Sequence, residues 1–213
     1  AFAFLAVGST YAILTNDPLL RVVSPLLKRI GLRDLNQTAP SSETGAKPKR
    51  ICLLGFSWTA SSLLEDISRE RSDLLEQIAV VDFNPNVHRK LHARGVHAIY
   101  GDITQRDVLA HAGLTRAEII ICSLPNTVLK GANNLKMLRQ LRELNPGGKI
   151  IVHAELLSDI PALYAAGASY VTAPRLLEAA DLLQTLEAAE KNLLDEKRGE
   201  QLKKLEGRAE VIP

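Results

Sequence analysis

Cysteine is nearly absent from this chain of 213 residues: only Cys52 and Cys122 occur, each inside an apolar run that reads as a strand. Two thiols so placed are core side chains rather than a disulfide framework, which fits a reducing compartment. No G-x-x-x-x-G-K-[ST] loop is present, which excludes a P-loop nucleotidase. His88 and His92 stand four apart on a helical pattern, but no glutamate or third ligand accompanies them. That argues against zinc and leaves them as surface residues. No charge of one sign dominates: the net charge of +2 gives no reason to expect a nucleic-acid partner. The opening apolar run, "AFAFLAVGSTYAIL", covers fourteen residues. A membrane-spanning helix needs about 20, and no basic segment precedes the run as a signal peptide would require.

With 46% hydrophobic and 23% charged residues, the chain has the composition of an ordinary globular protein. Its basic bias is local. Residues 21–50 hold seven basic side chains (Arg21, Lys28, Arg29, Arg33, Lys47, Lys49, Arg50) against Asp34 and Glu43. The apolar start reads as the end of a longer apolar segment. "TNDPLLRVVSPLLKRIGLRDL" follows it, with an amphipathic pattern and cations, as expected on a cytoplasmic membrane face. Residues 1–35 are therefore expected to be the end of a transmembrane helix with an amphipathic juxtamembrane segment. Residues 36–49, rich in Pro, Ser, Thr and Gly, read as a linker.

Beyond the linker, apolar runs alternate with helix-like patterns. "ICLLG", "IAVVD", "VHAIYGD", "EIIICS", "KIIVHAE" and "SYVTAP" read as six strands. A helix carrying Leu63, Leu64 and Ile67 on one face separates the first two, Gly95 ends the next helix, and a longer one spans about 131–144. Continuous Val/Ile/Leu runs point to strands covered on both faces. Strand–helix repetition points to right-handed crossovers and a parallel sheet. The expected fold is α/β: a Rossmann-like, doubly wound, parallel six-stranded sheet over residues 50–174, with a C-terminal helix. Residues 175–213 read as an interface helix, with Leu176, Ala179, Leu183 and Leu186 at a/d-like spacing, that becomes a charged, solvated tail.

The turn "GFSWTA" between the first strand and its helix admits two chemistries. As a dinucleotide fingerprint, G-x-G-x-x-G, its three positions are Gly55, Ser57 and Ala60. The first is intact, the third is small, and the second carries a side chain where phosphate oxygens would approach. Asp82 ends the second strand, where a carboxylate can accept ribose hydroxyls, and Gly101-Asp102 ends the third. Both lie at the carboxyl edge, where ligands bind open parallel sheets. As a G-x-S-x-G nucleophile elbow, the turn lacks preceding strands, an oxyanion donor and a suitably ordered acid and histidine. His153 lies inside a strand. The chain is therefore read as a non-enzymatic nucleotide binder. The alternatives are a nicotinamide-dependent oxidoreductase fragment, which would need a substrate domain, and a ligand-free structural dimerisation module, which Ser57 motivates.

"GFSWTA", "VVDFNP", "IYGDITQRDVLAHAGL", "IIICSLPN" and "LLSDIPALYAAGASYVTAP", in this order, resemble the N-terminal subdomain of the regulator-of-potassium-conductance domain, also called the TrkA-N domain. The apolar start with "SPLLKRIGL" resembles the end of the last transmembrane helix of bacterial monovalent cation:proton antiporters, the potassium-efflux group among them. The resemblance implies a homodimeric domain on the cytoplasmic face of the inner membrane, attached to a membrane transport domain of the same chain. There it gates transport according to a bound adenine nucleotide, AMP or NAD(H). Position by position, it implies that Gly55, Phe56, Ser57, Thr59 and Ala60 form the phosphate loop. Asp82 and Phe83 would contact ribose, Gly101, Asp102 and Ile103 would sit by the adenine, and Ser123, Leu124 and Pro125 would line the crevice. Ser57 replaces the family's usual glycine, which favours a mononucleotide or a loosely held dinucleotide.

Overall fold

The computed structural model describes residues 49–129 and 132–212. The expected transmembrane end, the amphipathic segment and nearly all of the linker lie outside the described residues. No helix among the described residues is long and apolar enough to cross a membrane.

Six strands form one parallel sheet in the order β3-β2-β1-β4-β5-β6. They are β1 (Ile51–Leu54), β2 (Ile78–Asp82), β3 (His97–Tyr100), β4 (Ile119–Cys122), β5 (Lys149–His153) and β6 (Tyr170–Thr172). The connecting helices are α1 (Trp58–Glu70), α2 (Pro85–Ala93), α3 (Arg106–His111), α4 (Asn134–Leu144) and α5 (Ile160–Ala165). The doubly wound parallel fold expected from the sequence is the fold observed. A 3-10 turn at Ser72–Gln77, unmarked by any apolar period, completes the first crossover.

Register decides which side chains share a face, because successive residues of a strand point to opposite sides. Ile51 pairs with Ile78 and with Ile119, so odd-numbered positions of β1 and β4 fall on the face of the even-numbered positions of β2. One face carries Cys52, Leu54, Val81, Ile120, Cys122, Ile150, Val152 and Val171 under Leu109 of α3, Met137, Leu138 and Leu141 of α4, and Leu163 of α5. The opposite face carries Ile51, Leu53, Ile78 and Val80 under Ala60 and Leu64 of α1 and Val87 and Leu91 of α2. Right-handed crossovers produce this division: the chain winds outward from β1 to β3 on one side and from β4 to β6 on the other.

One consequence departs from the sequence reading. Every residue of β1 and β2 is buried, but β4 and β5 alternate between buried and partly or fully exposed positions. Among the described residues, none from β5 or β6 joins the second core cluster, and Tyr170 is 57% exposed. The apolar run "EIIIC" therefore marks a strand fully covered on one face and partly on the other, where Ile119 and Ile121 pack half-buried against the second cluster.

The C-terminal segment also differs from expectation. It forms two helices, α6 (Pro174–Glu190) and α7 (Leu194–Leu205). Asn192 takes a left-handed conformation (φ 57°) between them. Leu193 N–H donates to Ala188 O at 2.8 Å and Asn192 N–H to Ala189 O at 3.1 Å, the paired bonds of a Schellman cap. Lys197 Nζ then reaches Asp181 Oδ1 at 2.9 Å, tying the two helices together. No residue of α6 is buried, and Leu177, Leu182, Leu183 and Leu186 are all exposed.

Most of the expected solvated tail is exposed, with no buried residue in α7, but its last residues are fastened down. Val211 is fully buried in the cluster beneath α1 and α2. Ile212 N–H donates to Ser61 Oγ at 2.9 Å, and Lys90 Nζ donates to Val211 O at 2.9 Å. Arg208 pairs with Asp66 and Glu210, Arg94 donates to Ala209 O, and Arg69 donates to Glu206 O. A short strap, from Glu206 to Ile212, thus lies across both helices. Its single buried valine outweighs its polar composition, because Arg208 and Glu210 find partners on α1 and on each other.

Candidate functional site

The carboxyl edge of β1 is shaped by Gly55, for two independent reasons. Its φ is +69°, a conformation side chains disfavour, and a Cβ there would lie 2.2 Å from Leu124 Cδ1. Its N–H donates to Val81 O at 2.8 Å, continuing the β1–β2 pairing into the turn. Phe56 then divides its roles. Its side chain is buried in the second core cluster, while its N–H donates to Asp82 Oδ2 at 2.7 Å.

Ser57 caps α1. Its backbone is extended and its Oγ accepts from Ala60 N–H at 3.2 Å. The same Oγ lies 2.9 Å from Ser123 Oγ, at the end of β4. Trp58 and Thr59 open the helix with exposed side chains, and their N–H groups have no acceptor within the helix. Ala60 is buried where helix and sheet approach, which explains a small residue at the third fingerprint position.

Asp82 is a buried carboxylate, 9% exposed, held by backbone alone. Its Oδ1 accepts from Asn84 N–H at 2.7 Å, and its Oδ2 from Phe56 N–H, as above. Two carboxylate oxygens offer about four acceptor positions, so two remain for a ligand's hydroxyls. Phe83 beside it is 61% exposed.

At the neighbouring strand end, Gly101 N–H donates to Asp82 O at 3.1 Å. A Cβ on Gly101 would meet Val108 Cγ1 of α3 at 2.4 Å, so only glycine lets α3 pack this close. Asp102 is exposed, and its Oδ1 accepts from both Thr104 N–H and Thr104 Oγ1 at 2.8 Å. Ile103 is 5% exposed and belongs to the core. A ligand at this turn would meet the Asp102 side chain, not that of Ile103.

On the other side of the crevice, Ser123 and Pro125 are half-buried, while Leu124 is a core residue backing Gly55. The sequence reading missed the side chains that hold this loop. Asn134, 2% exposed, donates from Nδ2 to Leu124 O at 2.9 Å, and its own N–H donates to Asn126 Oδ1 at 2.8 Å. Asn126 N–H in turn donates to Glu155 Oε2 at 3.0 Å. The Asn-Asn pair opening the longer helix was the available signal, since Asn133 caps α4 through Lys136 N–H.

The structure thus brings Gly55, Phe56, Ser57, Asp82, Ser123 and Leu124 into direct contact around the ends of β1, β2 and β4, with Asp102 one strand away in its own turn. Nucleophilic chemistry has no foothold among the thiols. Burial pushes Cys52 up to about 12 and Cys122 up to about 11, so both are protonated at neutral pH. Burial also pushes His153 below its ordinary value, with nearby Glu155 opposing the shift.

This geometry can be set beside known proteins. The family model of the TrkA-N domain matches residues 51–174, from the first residue of β1 to the first residue of α6. The chain belongs to the TrkA-N domain family. An uncharacterized protein of Methanothermus fervidus is 28% identical over 149 residues, which is 65% of this chain and 22% of that protein. The chain therefore spans about a fifth of the length of this relative. The TrkA-N domain of inner membrane protein YbaL from Escherichia coli superposes with a TM-score of 0.57 at 23% identity, covering 67% of this chain and 99% of that one. The GsuK channel gives a TM-score of 0.55 at 23% identity, over 71% of this chain and 26% of that one. The NAD(P)-binding domain of an exopolyphosphatase-related protein from Archaeoglobus fulgidus gives 0.54 at 16% identity, over 65% and 98%. At such identities the likeness shows a shared fold. In this chain Ser57 stands at the second glycine position of the G-x-G-x-x-G fingerprint.

Proposed function

We propose that this TrkA-N domain binds an adenine nucleotide at the ends of β1, β2 and β3, and that it is a regulatory, non-enzymatic sensor. The observation that carries the reading is Asp82: a buried carboxylate fixed by Phe56 N–H beside the open N-terminus of α1. That arrangement offers ribose an acceptor and a phosphate the N–H groups of Trp58 and Thr59, which have no acceptor within α1. Asp102, at the next strand end, is the second polar contact. Ser57, Ala60, Phe83, Gly101 and Ser123 complete the surroundings. The NAD(P)-binding domain from Archaeoglobus fulgidus shares the fold and supports a nucleotide ligand.

The wider role follows from the sequence and from the company the fold keeps. One similar structure comes from an inner membrane protein and another from a channel. Together with the apolar start and the basic residues after it, this supports a domain on the cytoplasmic face of the inner membrane. In our reading it gates a monovalent cation (potassium or sodium):proton antiporter whose transport domain precedes it in the same chain. It acts as a homodimer through the Rossmann-like domain and the leucines of α6. Nucleotide can shift gating only through different affinities for the two states of the transporter.

Thermal denaturation with AMP, ADP, ATP, NAD+ and NADH tests the binding. At least one should raise the Tm of the wild-type chain, by 2.7 kcal/mol of added stability at about 100-fold excess over Kd as an order of magnitude. Asp82→Ala should abolish the response. No response to any of the five would leave the ligand-free dimerisation module as the better account.

A further inference from the structure

The two halves of the sheet meet at β1 and β4, which are hydrogen-bonded neighbours. The strand order reverses there, with β2 and β3 on one side and β5 and β6 on the other. A dinucleotide bound to such a fold must carry its pyrophosphate across this point, to set one nucleoside on each half. In this chain the crossing point is spanned by two side chains, 66 residues apart in sequence: Ser57 Oγ and Ser123 Oγ, at 2.9 Å.

We propose that this hydroxyl bridge is a selectivity gate that confines the ligand to the half bearing Asp82 and Asp102, so that the site takes a nucleoside monophosphate in preference to a dinucleotide. The inference rests on the nucleotide reading above and adds which nucleotide class fits.

Three features make the bridge an obstacle. Ser57 cannot swing aside freely, because its Oγ also caps Ala60 N–H and leaving would uncap α1. The backbone that follows Ser123 is held in place as well. Leu124 packs against Gly55, its carbonyl is held by buried Asn134, and the next loop amide is held by Glu155. Finally, the Ser57 Cβ occupies the position at which a second glycine would admit phosphate to the backbone. A monophosphate meets only the last of these limits, because it does not have to cross from β1 to β4. It needs only the α1 N-terminus, and its ribose needs only Asp82, both on the near side of the bridge.

Calorimetric titration of AMP and NAD+ into the 213-residue chain, and into Ser57→Gly and Ser123→Ala, tests the gate. The wild type should bind AMP more tightly than NAD+. Ser57→Gly restores the fingerprint glycine and should shift the ratio of the two affinities toward NAD+ by about tenfold. Ser123→Ala keeps the helix cap and removes only the bridge, so a shift of about fivefold in the same direction is expected, the worth of one hydrogen bond. Two results would overturn the gate while leaving nucleotide binding intact. One is wild-type affinity for NAD+ equal to or above that for AMP. The other is a ratio unchanged in both variants while each still binds AMP. Binding of neither nucleotide to the wild type would remove the nucleotide reading itself, and the gate with it.

Discussion

The two halves of this sheet are built to different standards. Around β1 and β2 both faces are covered, by α1 and α2 on one side and the common core on the other, and every strand residue is buried. Around β5 and β6, helices among the described residues cover only one face, and Tyr170 stands exposed on the other. The covered half carries the phosphate turn, Asp82 and the C-terminal strap. The β5–β6 side leads straight into α6, none of whose residues is buried among the described residues. The difference teaches where burial is concentrated among the described residues: the half bearing the candidate site is closed by α1, α2 and the strap, and the half leading to α6 leaves apolar side chains exposed.

The largest effect that should separate the halves is core truncation under α1. Leu64→Ala should lose about 2–5 kcal/mol of stability in urea denaturation, because its fully buried side chain leaves a cavity between α1 and the sheet. Val211→Ala should cost about 1–2 kcal/mol although it lies three residues from the end of the sequence given. A cost near zero for Val211→Ala would mean the strap is not fastened as described.

A smaller effect, shared by both halves, comes from the two thiols on the common core face. In the folded state their protonated forms are favoured, with Cys52 pushed up to about 12 and Cys122 up to about 11 from an ordinary 9.0. The unfolded chain therefore releases these protons first, and stability should fall as pH rises above 9.0 toward those values, with no contribution below. At pH 10 each thiol should cost about 1 kcal/mol, and Cys52→Ala should show a shallower decline than the wild type between pH 8 and 10.

The smallest effect belongs to α6. Leu183→Ala, at a 58% exposed position, should change monomer stability by less than about 0.5 kcal/mol. If α6 is the dimer contact, the same substitution should weaken self-association in sedimentation while leaving dilute-solution Tm unchanged. A large loss of monomer stability would place α6 inside the fold and blur the contrast between the halves.

Much of this arrangement was legible in the sequence, and the reasons differ by element. The strands announced themselves because parallel, helix-covered strands need unbroken Ile, Val and Leu. Gly55 and Asp82 were legible because each answers a local demand, a tight turn and a strand-end acceptor. Burial on the second face of β4 was not legible, since "EIIIC" looks the same whether one or two layers of helix cover it. Burial of the Ile103 side chain was not legible for a related reason: an apolar residue after "GD" can line a pocket or join the core, and only α3's position decides. The Ser57–Ser123 bridge depends on two strands becoming neighbours, which no local pattern encodes. Nor does a charged C-terminus with one valine reveal that Arg208 pairs with Asp66 of α1 or that Val211 joins the core cluster under α1 and α2.

Hydrogen–deuterium exchange with and without saturating AMP tests the central claim most directly, because it reports where a ligand acts and not merely that one binds. The account predicts slowed exchange confined to residues 55–61, 82–84 and 101–104. Nucleotide binding with no protection at 55–61 and 82–84, or with protection centred on β5 and β6, would contradict it.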